Sequence, residues 1–270
     1  DDNTSGAVNA ATVTTLTGAA AAMNTAYASN GITGLANEAI TLDDTTLAAA
    51  TLNTLDGNTT GAINATSVAT LTGTFAEVTA AQDSNGITGL EGVITIISGN
   101  MSVAQANSVA ASTTDPVVAT ITEGDMATLA NLTETGNTYT ITVTDTTVDS
   151  ADLNTLDGKT TVAINCDAVT VLTGTAAATN TAYASSGISG LGNEAVTIED
   201  TTLAAATLNT LDGNTTGAIN ASTVTTLTGT AAAANTAYAS SGITGLANEA
   251  ITITDTSIAA SVLNTLNGNT

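Results

Sequence analysis

The fold of this chain is encoded in a short unit that reads, at residues 250–268, AITITDTSIAASVLNTLNG. In its first residues Ile alternates with Thr, which is the pattern of a β-strand. Asp255 follows, and the next segment, IAASVLNTL, places apolar residues at the spacing of an amphipathic helix. Asn267 and Gly268 then form a turn signal. The stretch therefore predicts a strand, a helix and a turn within one small unit.

This unit belongs to a longer internal repeat. Near-copy blocks cover residues 6–60, 162–216 and 217–270, and a divergent middle covers 61–161. The longer turns carry an additional Ala-rich segment, as in TAAAANTAYAS at residues 230–240. One apolar residue per expected strand marks ten turns that are about 23 or about 32 residues long, and these markers are Val8, Ile40, Ile63, Ile94, Val118, Ile141, Ile164, Val196, Ile219 and Ile251.

A strand and a helix of this size cannot bury their own apolar face, whereas stacked units can bury it together. We therefore predict a single α/β solenoid over residues 1–270, with about ten strand–helix turns and a continuous parallel sheet. The crossovers should be right-handed. If the Ala- and Leu-rich stretches were extended, the same repeat would form a pure parallel β-helix, which is the alternative fold.

Two residue types mark the limits of the expected helices. An aspartate stands just before each helical stretch, where its carboxylate should cap the first turn of the helix that follows; these are Asp44, Asp145, Asp200 and Asp255. A glycine stands where each helix should end, and its left-handed conformation should form the C-cap; these are Gly57, Gly158, Gly213 and Gly268.

The composition excludes several classes of function. The chain has one basic residue, Lys159, and a net charge of −23, so it lacks the cations that nucleic-acid binding requires. The same charge disfavours docking on an anionic membrane, and no apolar run is long enough to insert in one. The single cysteine, Cys166, lies in strand-like sequence and should be a small buried apolar residue.

Catalysis is not expected. A nucleophile needs an adjacent tuned base, and the chain has no His and one Lys. Carboxylate pairs could hydrolyse glycosides, but the acids mostly recur at equivalent positions of the repeat. Residues that recur with the structure usually serve the structure. We predict that the chain is not an enzyme and has no cofactor, except a possible weakly bound calcium ion.

Three repeated sets of side chains are the candidate sites. Two sets of acids could bind calcium weakly, with helix capping or a solvated loop position as the alternatives; they are Asp44, Asp200 and Asp255, and Glu38, Glu194 and Glu249. A set of tyrosines in the Ala-rich segments either fills space inside the stack or contacts neighbouring molecules; these interface candidates are Tyr27, Tyr183 and Tyr238.

The strand–helix alternation and turn length distantly resemble a leucine-rich repeat, without its LxxLxLxxN signature. An Asn does follow several strand markers, as a buried amide or a turn-facing one: Asn9, Asn64, Asn165 and Asn220. The blocks NTAYASSGITGLANEAITITDT and LNTLDGNTTGAINAST resemble repeats of very large acidic surface proteins of marine cyanobacteria and related bacteria. That resemblance spans nearly the whole chain and implies secretion, a cell-surface location and very long parent chains.

Both ends of the chain fall at the same point of the repeat, and neither carries the polar cap that solenoids usually need. We expect a fragment of a longer repeat protein, a head-to-tail polymer of copies, or soluble end turns. The expected function is a building block of an extracellular filament, sheath or surface layer. The alternatives are an adhesin stalk that presents a ligand-binding face and, more remotely, a carbohydrate-active β-helix enzyme with acids clustered in residues 75–135.

Overall fold

The computed structural model describes residues 6–270, and the beginning of the predicted solenoid at residues 1–5 lies outside them. The described residues form ten helices and six sheets, in which every strand pair is parallel. The protein is therefore an α/β protein, and the alternative of a pure β-helix is wrong. The Ala- and Leu-rich stretches are helical because these residues have high helix propensity and no β-branch.

The chain divides into two compact units. The first unit holds the residues up to Thr122 together with Leu132–Thr140. Its helices are Ala20–Ala28 (α1), Ala49–Asn58 (α2), Phe75–Gln82 (α3) and Val103–Ala110 (α4). Its strands are Val8–Asn9 (β1), Thr15–Gly18 (β2), Ile32–Thr33 (β3), Ala39–Leu42 (β4), Thr46–Ala48 (β5), Ile63–Asn64 (β6), Thr70–Gly73 (β7), Ile87–Thr88 (β8), Ile94–Met101 (β9), Val117–Ile121 (β10) and Thr138–Thr140 (β11).

The second unit holds Glu123–Asn131 and Ile141–Thr270. Its helices are Met126–Leu129 (α5), Ser150–Asp157 (α6), Ala176–Ala184 (α7), Ala205–Asn214 (α8), Ala231–Ala239 (α9) and Ala260–Asn269 (α10). Its strands are Thr147–Asp149 (β12), Ile164–Asn165 (β13), Val171–Gly174 (β14), Ile188–Ser189 (β15), Ala195–Ile198 (β16), Thr202–Ala204 (β17), Ile219–Asn220 (β18), Thr226–Gly229 (β19), Ile243–Thr244 (β20) and Ala250–Ile253 (β21). Within each unit, consecutive helices pack against each other.

The pairing register corrects the predicted turn lengths. Leu16 pairs with Ile40, Ile40 with Ile63, and Ile63 with Ile87, so the step between paired strands is nearly constant. The prediction of two turn lengths is wrong because the Ala-rich segment forms a helix and leads into a short strand of its own. Ile32, which pairs with Val8, belongs to such a strand.

The predicted continuous sheet is also wrong, since the paired strands form separate sheets. The first unit has sheets β1–β3, β2–β4–β6–β8 and β5–β7–β9–β10–β11, and the second has β12–β14–β16–β18–β20, β13–β15 and β17–β19–β21. Paired strands recur at a shorter interval than helices do. Successive strands of one sheet therefore change their position relative to the helices. In the five-stranded sheet of the second unit, the first strand, β12, leads directly into α6, whereas the last strand, β20, follows α9. A ladder ends where it meets a helix, and another ladder takes its place.

The core is built from the inward-facing strand residues and one face of each helix. Leu52, Leu55, Leu208 and Leu211 are completely buried, as the apolar spacing of the helical stretches predicts. The predicted glycine C-caps are wrong. Gly57 and Gly213 lie inside α2 and α8, and Gly158 has a right-handed φ of −67°. Helices α2 and α8 continue past the glycine, whereas α6 ends at Gly158 in a right-handed conformation, so the left-handed C-cap is formed at none of the three.

One strand reverses the usual inside–outside order. In β9 the side chain of Thr95 is completely buried and its hydroxyl has no hydrogen-bond partner, while Ile94 and Ile96 on either side are 39% exposed. The equivalent buried positions of two other blocks hold Ile40 and Val196.

We expect Thr95→Val to raise the free energy of unfolding by about 1 kcal/mol, because it removes an unsatisfied buried hydroxyl at constant shape. Urea denaturation measures this change. The matched control is Thr41→Val on the exposed face of β4, which should change stability by less than about 0.5 kcal/mol. An equal effect of both substitutions would contradict the burial of the Thr95 hydroxyl.

Candidate functional site

The repeated tyrosines and the repeated glutamates form hydrogen-bonded pairs. The phenol of Tyr27 donates to Glu38 Oε2 at 2.7 Å, that of Tyr183 to Glu194 at 3.0 Å, and that of Tyr238 to Glu249 at 2.7 Å. Each tyrosine lies on a helix from an Ala-rich segment, and each glutamate directly precedes a strand. The sequence presents the tyrosines and the glutamates as two independent sets. In the structure they form three copies of one hydrogen-bonded Tyr–Glu pair.

The glutamates are buried rather than solvated. Glu38 is 1% exposed and Glu194 is 0% exposed, so the prediction of a solvated loop acid is wrong. The carboxylate of Glu194 also accepts main-chain N–H groups of Gly192 at 2.8 Å and Asn193 at 3.2 Å. A buried carboxylate needs such partners, because its desolvation is costly. Each carboxylate closes the loop that leads into its strand.

The main chain around Glu194 is tied to the following turn. Thr215 Oγ1 donates to the carbonyl oxygen of Glu194 at 2.7 Å, and Thr59 does the same to Glu38 at 3.0 Å. Gly217 lies so close that an added Cβ would collide with the Glu194 carbonyl. Only glycine permits this approach. The small residues of the repeat thus allow neighbouring backbones to touch.

The block at residues 61–115 lacks the pair and serves as an internal comparison. At the equivalent positions it has Gln82 for tyrosine and Val93 for glutamate. Val93 is completely buried, and both polar side-chain atoms of Gln82 are buried without a hydrogen-bond partner. Thr113 still donates to the carbonyl of Val93 at 2.7 Å. The backbone arrangement therefore survives without the pair, and Tyr and Glu have been replaced together.

Opposing effects set the pKa of Glu38 and Glu249. Burial alone would raise each pKa, but the hydrogen bonds from the tyrosine and from main-chain N–H groups together outweigh it, and the net pKa lies below the ordinary value of 4.5. A carboxyl with a lowered pKa in the folded state contributes stability above its unfolded pKa. That stability is lost as the pH falls through the folded value.

We therefore expect the free energy of unfolding to fall as the pH is lowered below 4.5, with Glu38 and Glu249 as contributors. Urea denaturation at a series of pH values measures this dependence. Tyr27→Phe removes one donor to Glu38, so the variant should lose less stability than the wild type over the same interval. Identical pH profiles for the two proteins would contradict the role of the tyrosine.

The repeated aspartates cap helices, but not the helices that the sequence suggests. Asp44 Oδ2 accepts the N–H of Ala20 at 2.8 Å, and Asp200 Oδ2 accepts that of Ala176 at 2.7 Å. Asp145 and Asp255 do the same to Met126 and Ala231, both at 2.7 Å. In each case the capped helix belongs to the preceding turn. The prediction of a cap on the following helix is wrong for these residues, because the carboxylate reaches back across the stack.

No group of three or more His, Cys, Asp or Glu side chains among residues 6–270 is placed to hold a metal ion. At Asp44, Asp200 and Asp255 a carboxylate oxygen is occupied by a helix cap, and at Glu38, Glu194 and Glu249 by the loop and tyrosine. Calcium binding at these six residues stays a prediction. Among the acids of residues 75–135, Glu77 caps α3 and Asp125 caps α5, whereas Asp115 and Glu134 line one pocket. A catalytic role of these acids is neither supported nor contradicted by this arrangement.

Asparagines on the helices link consecutive turns, a role that is not among the predictions from the sequence. Asn53 Nδ2 donates to the carbonyl of Glu77 at 2.8 Å, and Asn209 Nδ2 donates to that of Ala233 at 2.9 Å. The bonds from Asn24, Asn154, Asn180 and Asn235 are similar. The signal was available, because these residues recur in the NTL and NTA segments. The asparagines after the strand markers form Asx turns instead, at Asn9, Asn64, Asn165 and Asn220.

The single cysteine behaves as predicted. Cys166 is completely buried, and burial raises the pKa of its thiol to about 11. It stands where other blocks have a buried alanine, such as Ala65 and Ala221. Between residues 6 and 270 none of the helices has the length and hydropathy that a bilayer-spanning segment requires.

Comparison of the chain with protein families, with characterised proteins and with solved structures finds no match. What the protein does must therefore be inferred from its own geometry.

Proposed function

We propose that this protein is a structural repeat element, an α/β solenoid that builds an extracellular filament, sheath or surface layer by stacking of turns. Its partners are copies of itself, joined head to tail, or flanking repeats of the same chain. The proposal includes the absence of enzymatic activity. The acidic charge of −23 keeps such an assembly soluble and separates its copies laterally. The resemblance to large acidic surface proteins supports the extracellular location.

The groups that define each repeat support this role because they connect turns. Aspartate caps, asparagine bonds and threonine bonds all run from one turn to its neighbour. The paired strands keep a nearly constant parallel register within each unit. Such a design places its hydrogen-bonding groups in turn-to-turn contacts, as expected of a solenoid whose stability comes from nearest neighbours.

The observation that carries the proposal is the exposed apolar surface of α10. Leu263 is 43% exposed, whereas Leu52 and Leu208 at the same repeat position are completely buried by the next turn. In the first unit, Val8 is 40% exposed, whereas the equivalent Ile63 and Ile219 are completely buried. Each surface has the shape and chemistry that the repeat covers elsewhere with another turn. A heterologous contact between such surfaces of two copies gives a filament when its rotation does not close into a ring.

Electron microscopy and sedimentation velocity of the wild type and of Leu263→Asp test the proposal. The wild type should form fibres or concentration-dependent oligomers, with or without calcium, and Leu263→Asp should remain dispersed. Thr265→Asp adds the same charge at an exposed polar position of α10 and should assemble like the wild type. Dispersed wild-type monomers at high concentration, or equal assembly of Leu263→Asp, would contradict stacking between copies.

A further inference from the structure

Asparagine is followed by glycine at three places in the chain, residues 30–31, 85–86 and 267–268. In such a dipeptide the glycine nitrogen can attack the asparagine side chain, because glycine has no Cβ that would restrict its backbone. Asn267 and Gly268 lie within α10, where the attack would require the chain to leave its helical dihedrals. Asn85 is instead exposed in the turn that leads into β8, and Asn30 occupies the equivalent turn before β3.

The main-chain N–H of Gly86 begins a short path of hydrogen bonds that ends at a carboxylate. It donates to Ser84 Oγ at 3.0 Å, and the Ser84 hydroxyl donates to Asp56 Oδ2 at 2.8 Å. A hydroxyl accepts and donates at once, so a proton can pass through it. The other carboxylate oxygen of Asp56 lies against Gly86, where an added Cβ would collide with it. This carboxylate of α2 is thus placed to take the proton that the Gly86 nitrogen must lose when it attacks.

We propose that Asn85 is a site of self-catalysed deamidation, with Ser84 and Asp56 as the proton path. The Gly86 nitrogen forms a bond to Cγ of Asn85, while its proton passes through the Ser84 hydroxyl to Asp56. The bond between Cγ and the amide nitrogen then breaks, and that nitrogen takes the proton and leaves as ammonia. A five-membered succinimide remains, and a water molecule opens it to aspartate or isoaspartate.

This reaction needs no partner other than water. The nucleophile and the carbon that it attacks belong to adjacent residues, so the ring closure is intramolecular and favoured by proximity. The net change converts an amide and water to a carboxylic acid and ammonia, without oxidation or reduction. It happens once per chain at a residue of the chain itself, so it is a modification and not an enzymatic turnover. The inference does not rest on the stacking of copies.

The second unit contains the same proton path without the reactive asparagine. Ser185 Oγ donates to Asp157 Oδ2 at 2.7 Å and accepts the N–H of Gly187 at 3.0 Å. The path recurs one block later with Asp212, Ser240 and Gly242. At the position of Asn85 these two loops have Ser186 and Ser241. The hydrogen bonds are therefore a common link between turns, and the loop becomes reactive where asparagine precedes the glycine.

The modification would change the loop at a point where two strands pair. The carbonyl oxygen of Gly86 accepts the N–H of Ile63 at 2.8 Å, and Ile63 pairs with Ile87 between β6 and β8. Aspartate at position 85 adds a negative charge near the Asp56 carboxylate, and isoaspartate adds a carbon to the main chain directly before Gly86. Both products should weaken the pairing, so this loop of the first unit should lose stability as the protein ages.

Peptide mass mapping of protein aged at neutral pH tests the proposal, with isoaspartate detected by an isoaspartate methyltransferase. In the folded wild type, Asn85 should be converted roughly tenfold or more faster than Asn267. Asp56→Ala should slow the conversion of Asn85 roughly tenfold or more, and Asp56→Glu should keep more of the rate because it retains a carboxylate. In urea, where the proton path is lost, the wild type and Asp56→Ala should react equally.

The second unit allows the reaction to be introduced. Ser186→Asn creates an asparagine–glycine dipeptide beside the path formed by Ser185 and Asp157, so this position should be converted about as fast as Asn85. Asp157→Ala in the same background should slow it. As a matched control, Asp157→Ala in the wild type removes an equivalent aspartate–serine bond and should leave the conversion of Asn85 unchanged.

Circular dichroism with thermal unfolding verifies that each variant is folded. Three results would overturn the proposal: conversion of Asn85 no faster than that of Asn267, equal or faster conversion of Asn85 in folded Asp56→Ala, or an unreactive Ser186→Asn variant. Faster conversion in Asp56→Ala would show that the hydrogen bonds protect the loop instead of activating it. None of these results bears on assembly through Leu263, which the microscopy measures separately.

Discussion

Leu208→Ala should lower the free energy of unfolding by about 3 kcal/mol. The side chain lies in α8, is completely buried, and is enclosed by the neighbouring turns. Truncation removes its apolar burial and leaves a cavity that close-packed surroundings fill only partly. The small residues of this repeat increase the effect, because few large side chains are available to move into the space. Urea denaturation followed by circular dichroism gives the change in unfolding free energy.

The chain supplies a matched control for this substitution. Leu263 occupies the same repeat position in α10, within the same LNTL sequence, but is 43% exposed. Leu263→Ala should therefore cost less than about 1 kcal/mol, since much of the side chain is already in water. Both substitutions replace Leu by Ala within a helix, so the change in helix propensity is the same in both. The two losses of unfolding free energy therefore differ only through the burial of the leucine side chain. Equal losses at the two positions would show that the turns do not pack as the structure describes.

The sequence predicts the fold class because its local signals agree. Apolar periodicity marks strands and helices, and the leucines that it identifies, such as Leu208 and Leu211, are completely buried. The turn length is mispredicted for a local reason. The two-residue strands at Ile32 and Ile243 are too short to show an alternating pattern, so the marker set passes over them. Cross-turn pairing, which no local window contains, then fixes the register.

The aspartates show that a local sequence pattern also fails to predict the partner of an individual hydrogen bond. A carboxylate before a helix is expected to cap that helix, and Asp149 does cap α6. Asp200 also precedes a helix, but its carboxylate caps α7 of the preceding turn, while α8 begins without a side-chain cap. The residue type thus predicts the chemistry of the bond. The partner depends on which turn lies next to it, and only the stacked structure determines that.

The tyrosine–glutamate pairs could have been recognised from the sequence. The two residue types recur with the same period, and the block at residues 61–115 lacks both, having Val93 and Gln82. Joint replacement within one chain indicates spatial contact. The burial of the glutamates had no such signal, because the ANEA segment reads as a polar loop. It follows from the approach of Gly217 and Thr215 of the next turn.

The second large change in the free energy of unfolding should result from substitutions in the pair of Tyr183 and Glu194. Glu194→Val should lower the free energy of unfolding by about 2–3 kcal/mol, because it leaves the Tyr183 hydroxyl and two main-chain N–H groups without their acceptor. Tyr183→Gln should cost a similar amount, about 2–3 kcal/mol, since it removes ring burial and a donor to a buried carboxylate. Both are measured by urea denaturation at neutral pH.

The double variant Tyr183→Gln, Glu194→Val reproduces the residues that Gln82 and Val93 provide in the divergent block, whose backbone keeps the same threonine bond. Its loss should be smaller than the sum of the single losses by about 1–2 kcal/mol, the coupling expected of residues in direct contact. The reciprocal substitutions test the same coupling in the divergent block. Val93→Glu alone should lower the free energy of unfolding, because it buries a carboxylate without its tyrosine. Adding Gln82→Tyr to that variant should restore part of the stability. Additive losses in both cycles would mean that the tyrosine and the glutamate stabilise the loop independently, and the pair would then not be the unit on which the repeat depends.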